Sequence, residues 1–152
     1  MAAMAVVTGA SSGIGRAYAD RLASNGMDLV LVARRADRLD SLKRDLESRG
    51  VGVQTVVADL GCAEDVERLA KELGTLPVDL LVNNAGLAHY MPFAQLPFER
   101  ARELVDVNAL APVFLARAVM PGMTARANSS GARALTSTSS RARSAGSCAN
   151  GM

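Results

Sequence analysis

A glycine-rich stretch follows the first apolar run of this 152-residue chain. Met4 to Val7 form the run, and residues 8–15 read Thr-Gly-Ala-Ser-Ser-Gly-Ile-Gly. Glycine lets the chain turn sharply from a strand into a helix, and it lets a phosphate approach backbone N–H groups that no Cβ covers. The first N–H groups of the following helix, and the positive end of its dipole, would face that phosphate. The pattern predicts a site for a dinucleotide pyrophosphate, and the alternative is an ordinary glycine-rich turn.

A second motif, Asn-Asn-Ala-Gly, lies at residues 83–86, and the glycine spacing Gly-x-x-x-Gly-x-Gly is wider than the usual dinucleotide fingerprint. With these two motifs, the chain from Met4 to about Met123 resembles the short-chain dehydrogenase/reductase family. The resemblance implies an NADP cofactor and hydride transfer between its nicotinamide and a small-molecule alcohol or carbonyl substrate. The cofactor-binding residues that it implies in the glycine turn are Gly9, Ala10, Ser11, Ser12, Gly13, Ile14 and Gly15.

Two further pairs of residues follow the second and third predicted strands. Arg34 and Arg35 occupy the place where an acid would accept the ribose hydroxyls of NAD, and arginine can instead pair with a 2′-phosphate. The alternative is a solvated arginine that begins a helix. The resemblance places Asp59 and Leu60 beside the adenine, whereas the competing interpretation is that Asp59 caps the next helix.

The resemblance also assigns roles after the fourth strand. Asn84 would bind the adenosine ribose, and Ala85 and Gly86 would let the chain pass close to the cofactor, with a simple turn as the alternative. Asn108 matches the family's catalytic asparagine, which positions a proton-relay water. Pro112 has no N–H to donate to the Asn108 carbonyl in a continuous helix, so we expect that carbonyl to bind water. The alternative is a polar residue at an ordinary proline kink.

The family's proton donor is a tyrosine with a lysine four residues later, assisted by a serine hydroxyl. The tyrosines here are Tyr18 and Tyr90 and the lysines are Lys43 and Lys71, so no pair has this spacing. Residues 134–140 faintly resemble the strand that ends in the family's serine, but they are polar for a central strand. Turnover by this chain is therefore doubtful on sequence grounds.

Strand and helix patterns alternate along the chain. Apolar runs predict strands at residues 4–7 and 29–33, and residues 53–58 and 78–82 are interpreted as the third and fourth strands. Helical spacing predicts buried faces made by Ile14, Ala17, Tyr18 and Leu22, by Leu39, Leu42 and Leu46, and by Val66, Leu69, Ala70 and Leu73. A last helix runs from Phe98 or Glu99 to Met120, is interrupted at Pro112 and closes at Pro121-Gly122. Strands joined by helices form right-handed parallel crossovers, so we predict an α/β fold with a doubly wound parallel sheet (Rossmann fold), truncated after about four strands.

Composition narrows the class of protein. With 49% hydrophobic and 21% charged residues, we expect one globular domain. The sequence has no run of 18 apolar residues and no basic N-terminal stretch followed by an apolar signal core, so we expect no membrane span, no secretion and a cytoplasmic location. The net charge of +2 comes from a tail that holds arginines and no acid after Ala125, without aromatic residues, so we expect no nucleic-acid partner. Cys62, Cys148 and His89 cannot complete a tetrahedral zinc site, so we expect no metal.

The sequence divides into an NADP-binding domain at residues 1–123 and a low-complexity tail at residues 124–152, which we expect to be disordered. One hypothesis is an N-terminal fragment of a reductase, with its tail misread after a frame change near Thr124. A second is a non-catalytic nucleotide-binding or interaction protein derived from the family, and a third is a product that does not fold stably. Homo-oligomers would form through the apolar side of the last helix, which includes Leu110, Val113, Phe114 and Ala118.

Overall fold

The computed structural model describes residues 2–130. Strands and helices alternate in the order β1 (Met4–Thr8), α1 (Gly13–Ser24), β2 (Asp28–Ala33), α2 (Ala36–Glu47), β3 (Val53–Val57), α3 (Ala63–Leu73) and β4 (Val78–Val82). A short 3₁₀ turn (Phe93–Gln95), α4 (Phe98–Val105), a π-helical segment (Asp106–Leu110) and α5 (Ala111–Ser130) follow. The four predicted strands are therefore all present, with ends that differ from the prediction by one residue at most.

The strands form one parallel sheet in the order β3-β2-β1-β4. The chain builds outward from β1 through β2 to β3, and it then returns across the sheet to place β4 on the other side of β1. The carboxyl ends of β1 and β4 therefore flank the point where the strand order reverses, which is where open α/β sheets bind ligands. This topology confirms the predicted doubly wound fold.

Both faces of the sheet are covered by helices. Ala5 and Val7 of β1 face α1 and α2, whereas Val6 between them faces α3 and α5. Because side chains alternate between the two faces of a strand, a sheet buried on both sides needs continuous apolar runs. The same rule explains why residues 29–33 are apolar throughout.

The predicted buried face of α1 is wrong at three of its four positions. Leu22 is buried, but Ile14 is 70% exposed, Tyr18 is 49% exposed, and Ala17 also faces solvent. The helix is rotated so that its small residues lie flat against the sheet and the glycine turn. The residues that it buries are Gly15, Ala19, Leu22 and Ala23. The predicted faces of α2 and α3 are buried, apart from the half-buried Ala70.

The predicted end of the last helix at Met120 is also wrong, because α5 continues through Pro121 to Ser130. Arg126 anchors this extension to β4, since its guanidinium donates to the Asp79 carboxylate at 3.0 Å and to the Val78 carbonyl. Residues 124–130 thus continue α5. The rest of the predicted tail, residues 131–152, lies outside the described residues.

One continuous helical stretch within residues 2–130, Phe98–Asn128, is long and apolar enough to cross a membrane by length and composition alone. The expectation of no membrane span is therefore not confirmed. Core helices of globular proteins meet the same criteria, and this stretch packs through the buried Leu115 and Val119 onto the sheet.

Candidate functional site

A cleft of about 250 Å³ opens at the carboxyl edge of the sheet. It lies at the strand-order reversal, where the loops after β1, β2, β3 and β4 meet. The predicted site residues that line it are Gly9, Ser11, Ser12, Arg34, Arg35, Asp59, Leu60, Asn84, Ala85 and Gly86. The structure thus brings together predicted site residues from four segments that are far apart in the sequence.

The glycine turn combines close packing with open space. Gly9 has a φ of +67°, and a Cβ there would stand 2.9 Å from Ala85 Cα. A Cβ on Gly15 would overlap the Gly9 carbonyl and would stand 2.5 Å from Asn84 Nδ2. Gly13 has a φ of +54°, but its missing Cβ would meet nothing within 4 Å. Gly9 and Gly15 therefore allow the turn to pack on the loop after β4, and Gly13 leaves free space beside the start of α1.

The N-terminus of α1 has no side-chain cap. Ser12 occupies the N-cap position without a cap hydrogen bond, and the first turn holds no acid. Instead, the Arg35 guanidinium contacts the hydroxyl oxygens of Ser11 and Ser12, both at 3.4 Å. The first N–H groups of a helix have no intrahelical acceptor, and the helix dipole is positive at this end. This end of α1, with Arg35 beside it, is therefore suited to an anion.

Arg34 adds a second cation to the cleft. It is exposed, and it has no hydrogen bond or ion pair with any residue of the described range 2–130. Of the other exposed arginines, Arg16 forms an ion pair with Asp45 at 3.3 Å and Arg49 one with Asp20 at 2.9 Å. Arg21, Arg38 and Arg117 have no such partner within residues 2–130 either. Its place in the cleft lining is what distinguishes Arg34 from these three.

Thr8 and Asn84 join the ends of β1 and β4. The Thr8 hydroxyl is buried, accepts the backbone N–H groups of Asn84 and Ala85 at 3.0 Å each, and donates to the Val82 carbonyl at 3.4 Å. Asn84 Nδ2 donates to the carbonyls of Thr8 at 3.0 Å and Gly9 at 3.5 Å. The Asn84 amide nitrogen therefore holds the glycine turn, and its contact with a ribose stays a prediction.

The loop after β3 is fixed by its own carboxylates. Asp59 Oδ1 accepts the Gly61 N–H at 3.0 Å, and the Asp59 N–H donates to Asp65 Oδ2 at 2.8 Å. This backbone hydrogen bond and, second, the Arg68 guanidinium hold the pKa of Asp65 below its ordinary value. The N-cap residue of α3 is Cys62, so the competing interpretation of Asp59 as the helix cap is not what the structure shows.

Asn108 lies in the π-helical segment and does not line the cleft. Its Oδ1 accepts the Leu87 N–H at 3.0 Å, and its Nδ2 donates to the Leu87 carbonyl at 2.8 Å. The helix changes register before the proline, because the Ala111 N–H donates to the Asp106 carbonyl five residues back. Pro112 can donate neither to Asn108 nor, in the π register, to Val107. Water binding by the Asn108 carbonyl stays a prediction.

Other predicted residues lie beside the cleft rather than in its lining, namely Ala10, Gly13, Ile14 and Gly15. Ala10 is buried, and its N–H donates to the Val32 carbonyl at 3.2 Å. The lining residues that the sequence prediction missed are Val32, Ala33, Ala58, Leu87 and Val107. The first three are the last or second-last residues of predicted strands, and the last two adjoin predicted site residues, so position along the chain was a usable signal.

His89 connects the loop after β4 to α4. Its Nε2 lies 3.2 Å from Glu103 Oε2, which also accepts from Arg100 at 3.1 Å. The Arg100 guanidinium, and to a smaller degree His89, hold the pKa of Glu103 below its ordinary value. Within residues 2–130, no three His, Cys, Asp or Glu side chains are grouped closely enough to hold a metal ion.

Comparisons of the sequence and of the structure with known proteins identify the same family. The model of the short chain dehydrogenase family matches residues 3–149, which extends beyond Met123, where we placed the end of the resemblance. The very-long-chain 3-oxoacyl-CoA reductase of Podospora anserina is 39% identical over 128 residues, or 80% of this chain and 38% of that protein.

Solved structures give the same result. A short-chain dehydrogenase from Sphingobium yanoikuyae in complex with NADPH is 40% identical, with a TM-score of 0.77 over 86% of this chain and 50% of that chain. The L-sorbose reductase of Gluconobacter frateurii, complexed with NADPH and L-sorbose, is 38% identical, with a TM-score of 0.77 over 82% of this chain and 49% of that chain. The chain thus spans about half the length of these solved structures, and less of the curated relative.

Proposed function

Because this chain belongs to the short chain dehydrogenase family, we propose that it is the cofactor-binding part of an NADP(H)-dependent oxidoreductase. The family and its NADPH-complexed members support a nicotinamide cofactor. When bound, the nicotinamide supplies or accepts a hydride. The proposed substrate is a small molecule with an alcohol or carbonyl group.

The residues of the cleft fit such a cofactor. The N-terminus of α1, left without a side-chain cap, would hold the pyrophosphate, with Gly13 leaving room beside it. Asp59 and Leu60 would flank the adenine at the end of β3. The loop at residues 84–86 would lie along the cofactor, where it already lines the cleft.

The observation that carries the preference for NADP(H) is the pair of arginines after β2. Arg34 lines the cleft and pairs with no residue of the described range, and Arg35 reaches across to the glycine turn. A 2′-phosphate would give both guanidinium groups an anionic partner, whereas the hydroxyl of NAD would not. We therefore propose that Arg34 and Arg35 select NADP(H) over NAD(H).

Titration of the 152-residue chain with NADPH and with NADH, followed by nicotinamide fluorescence or calorimetry, tests this proposal. We expect tighter binding of NADPH. Replacing either arginine by alanine should weaken NADPH binding by about 10- to 100-fold, because a hydrogen bond to a charged group contributes roughly 1.5–3 kcal/mol. NADH binding should change little.

Arg38→Ala is the matched control, because it removes the same charge from an exposed position of α2 outside the cleft. Its NADPH affinity should stay close to that of the wild type. Equal wild-type affinities for NADPH and NADH would contradict the proposed preference.

A second candidate function is nucleotide binding without turnover. It is favoured by the absence of a tyrosine followed four residues later by a lysine anywhere in the 152 residues. It predicts saturable NADPH binding and no oxidation or reduction across a panel of alcohols and ketones. Any reproducible turnover above a Gly13→Ala control would exclude it.

A further inference from the structure

Two asparagine side chains tie the loop after β4 to the helical stretch that follows it. At the start of the loop, Asn83 Nδ2 donates to the Pro112 carbonyl at 3.4 Å. Four residues further along the loop, the Asn108 amide makes both hydrogen bonds with the backbone of Leu87. Residues 84–86, which line the cleft, lie between these two contacts. We call the two contacts together the asparagine clamp.

We propose that Asn83 is a positioning residue for cofactor binding, which acts through the Pro112 carbonyl to fix the π-helical segment against the loop. This inference rests on the proposed function, because it assigns a cofactor role to the cleft. Asn83 itself does not line the cleft.

The local helix needs such a contact because its own hydrogen bonds are incomplete. Pro112 has no N–H, and the Ala111 N–H is already directed to the Asp106 carbonyl. The carbonyls of Val107 and Asn108 therefore receive no hydrogen bond from Pro112 in either register. The π-helical segment thus interrupts the regular α-helical hydrogen-bond ladder at this point.

Attachments at both ends fix the rotation of the segment better than attachments at one end. Pro112 and Asn108 are four residues apart, about one helical turn. With the Asn83 contact removed, the loop still holds the helical stretch through Asn108 and, further toward the N-terminus, through the contact of His89 with Glu103, but the Pro112 end is released and can pivot about them. Such a pivot would move Val107, which lines the cleft, relative to the loop on the other side.

The fit between the segment and the loop is close, so even a small movement of this kind would disturb the cleft. A Cβ on Gly86 would stand 3.0 Å from Asn108 Oδ1, and Val107 is only 6% exposed. Asn83, by contrast, is exposed, so its side chain contributes little to the buried core. Its effect on the cleft should therefore come from the donated hydrogen bond.

The test compares Asn83→Ala, Asn83→Asp and Asn83→Gln in the full chain. Aspartate keeps the size of asparagine and loses the N–H donor, whereas glutamine keeps an amide donor on a longer side chain. Amide hydrogen exchange without cofactor follows peptides from residues 84–90 and 105–115, and NADPH titration follows affinity. Asn25→Ala is the control, because Asn25 is exposed and its side chain has no hydrogen bond within the described residues.

We expect Asn83→Ala and Asn83→Asp to speed exchange in these two regions, to leave α1 and α2 unchanged, and to weaken NADPH binding about three- to tenfold. Asn83→Gln should recover part of both effects. An Asn83→Asp variant that matches the wild type in exchange and affinity would overturn the inference alone. A wild-type chain that does not bind NADPH would overturn the proposed function and the cofactor role of Asn83, even if the exchange effect showed that the clamp exists.

Discussion

At the scale of single residues, glycine is needed at the three motif positions 9, 13 and 15 for different physical reasons. A side chain at Gly9 or Gly15 would collide with the Asn84–Ala85 segment or with the turn itself, so these two glycines serve the fold. Gly13 meets no protein atom within 4 Å, so packing does not explain it. Its positive φ and the space beside it suit a ligand that lies against the backbone N–H groups of α1.

Gly13→Ala should therefore weaken NADPH binding by more than about tenfold, and it should also cost about 1–2 kcal/mol of stability because alanine is strained at a φ of +54°. Gly26→Ala supplies the control. Gly26 has a φ of +75° and also meets nothing within 4 Å. It follows the C-terminal end of α1, whereas Gly13 begins that helix next to the cleft residues Ser11 and Ser12.

Both variants should lose similar stability in urea unfolding, and only Gly13→Ala should lose affinity in an NADPH titration. If the two glycine variants bound NADPH equally well, the open space at Gly13 would have no role in binding.

At the scale of elements, the N-terminus of α3 shows how carboxylates organise the loop beside the cleft. Asp65 accepts the Asp59 N–H at 2.8 Å and an Arg68 N–H at 2.7 Å, and these contacts lower its pKa. Its folded-state pKa therefore lies below the unfolded value of about 4. The ionised carboxylate stabilises the fold above that pH, and the contribution is lost as the pH falls through the folded pKa.

Asp65→Asn tests this contribution, since asparagine can still accept the Asp59 N–H but has no charge. We expect the variant to be less stable at pH 7, and the difference in melting temperature from the wild type to shrink between pH 5 and pH 3. Thermal unfolding across that range is the measurement. A difference that did not depend on pH would show that the charge of Asp65 is irrelevant.

Asp37→Asn is the matched variant in the first turn of α2. Its carboxylate has no hydrogen bond or ion pair within residues 2–130. The difference in melting temperature between Asp37→Asn and the wild type should be smaller than that for Asp65→Asn.

Elements made by local and repetitive patterns could be predicted from the sequence, and those that depend on distant partners could not. The central strands β1 and β2 are nearly continuous apolar runs because the sheet is buried on both faces there. The extension of α5 past Pro121 depends instead on Arg126 meeting Asp79, which lies 47 residues earlier in the chain. The rotation of α1 has a similar cause, because the close approach of Gly15 to Gly9 decides which face is buried.

The same distinction applies to the site. Most of the residues that line the cleft could be predicted from the ends of the strands, because the loops that follow parallel strands lie at one edge of the sheet. The side-chain partners of Asn84, Asn108 and Arg35 are backbone groups or hydroxyls in other loops, and no spacing in the sequence reveals them.

At the scale of the whole molecule, the four-stranded sheet and the helices described leave apolar surface uncovered. Within residues 2–130, no strand pairs with the outer edge of β4, and Leu80 on that strand is 37% exposed. Along α4, the π segment and α5, the exposed large apolar residues are Phe98, Val105, Leu110, Val113, Phe114 and Met120. Leu110, Val113 and Phe114 recur at helical spacing, so they form one stripe on the solvent side of the helix.

A stripe of this kind favours association with another protein surface, and we expect the chain to form homo-oligomers through it. Val113 is the best position for a test because it is 63% exposed, so a substitution there should leave the monomer folded. Val113→Glu should weaken self-association by more than about tenfold, because an unpaired carboxylate is costly to bury in an apolar interface.

Ser41→Glu, at an exposed position of α2, is the control, because it adds the same charge away from the stripe. Sedimentation velocity over a range of concentrations should show a larger species for the wild type and Ser41→Glu and a monomer for Val113→Glu. A wild type that stayed monomeric, or a Val113→Glu variant that associated like the wild type, would rule out this surface as the interface.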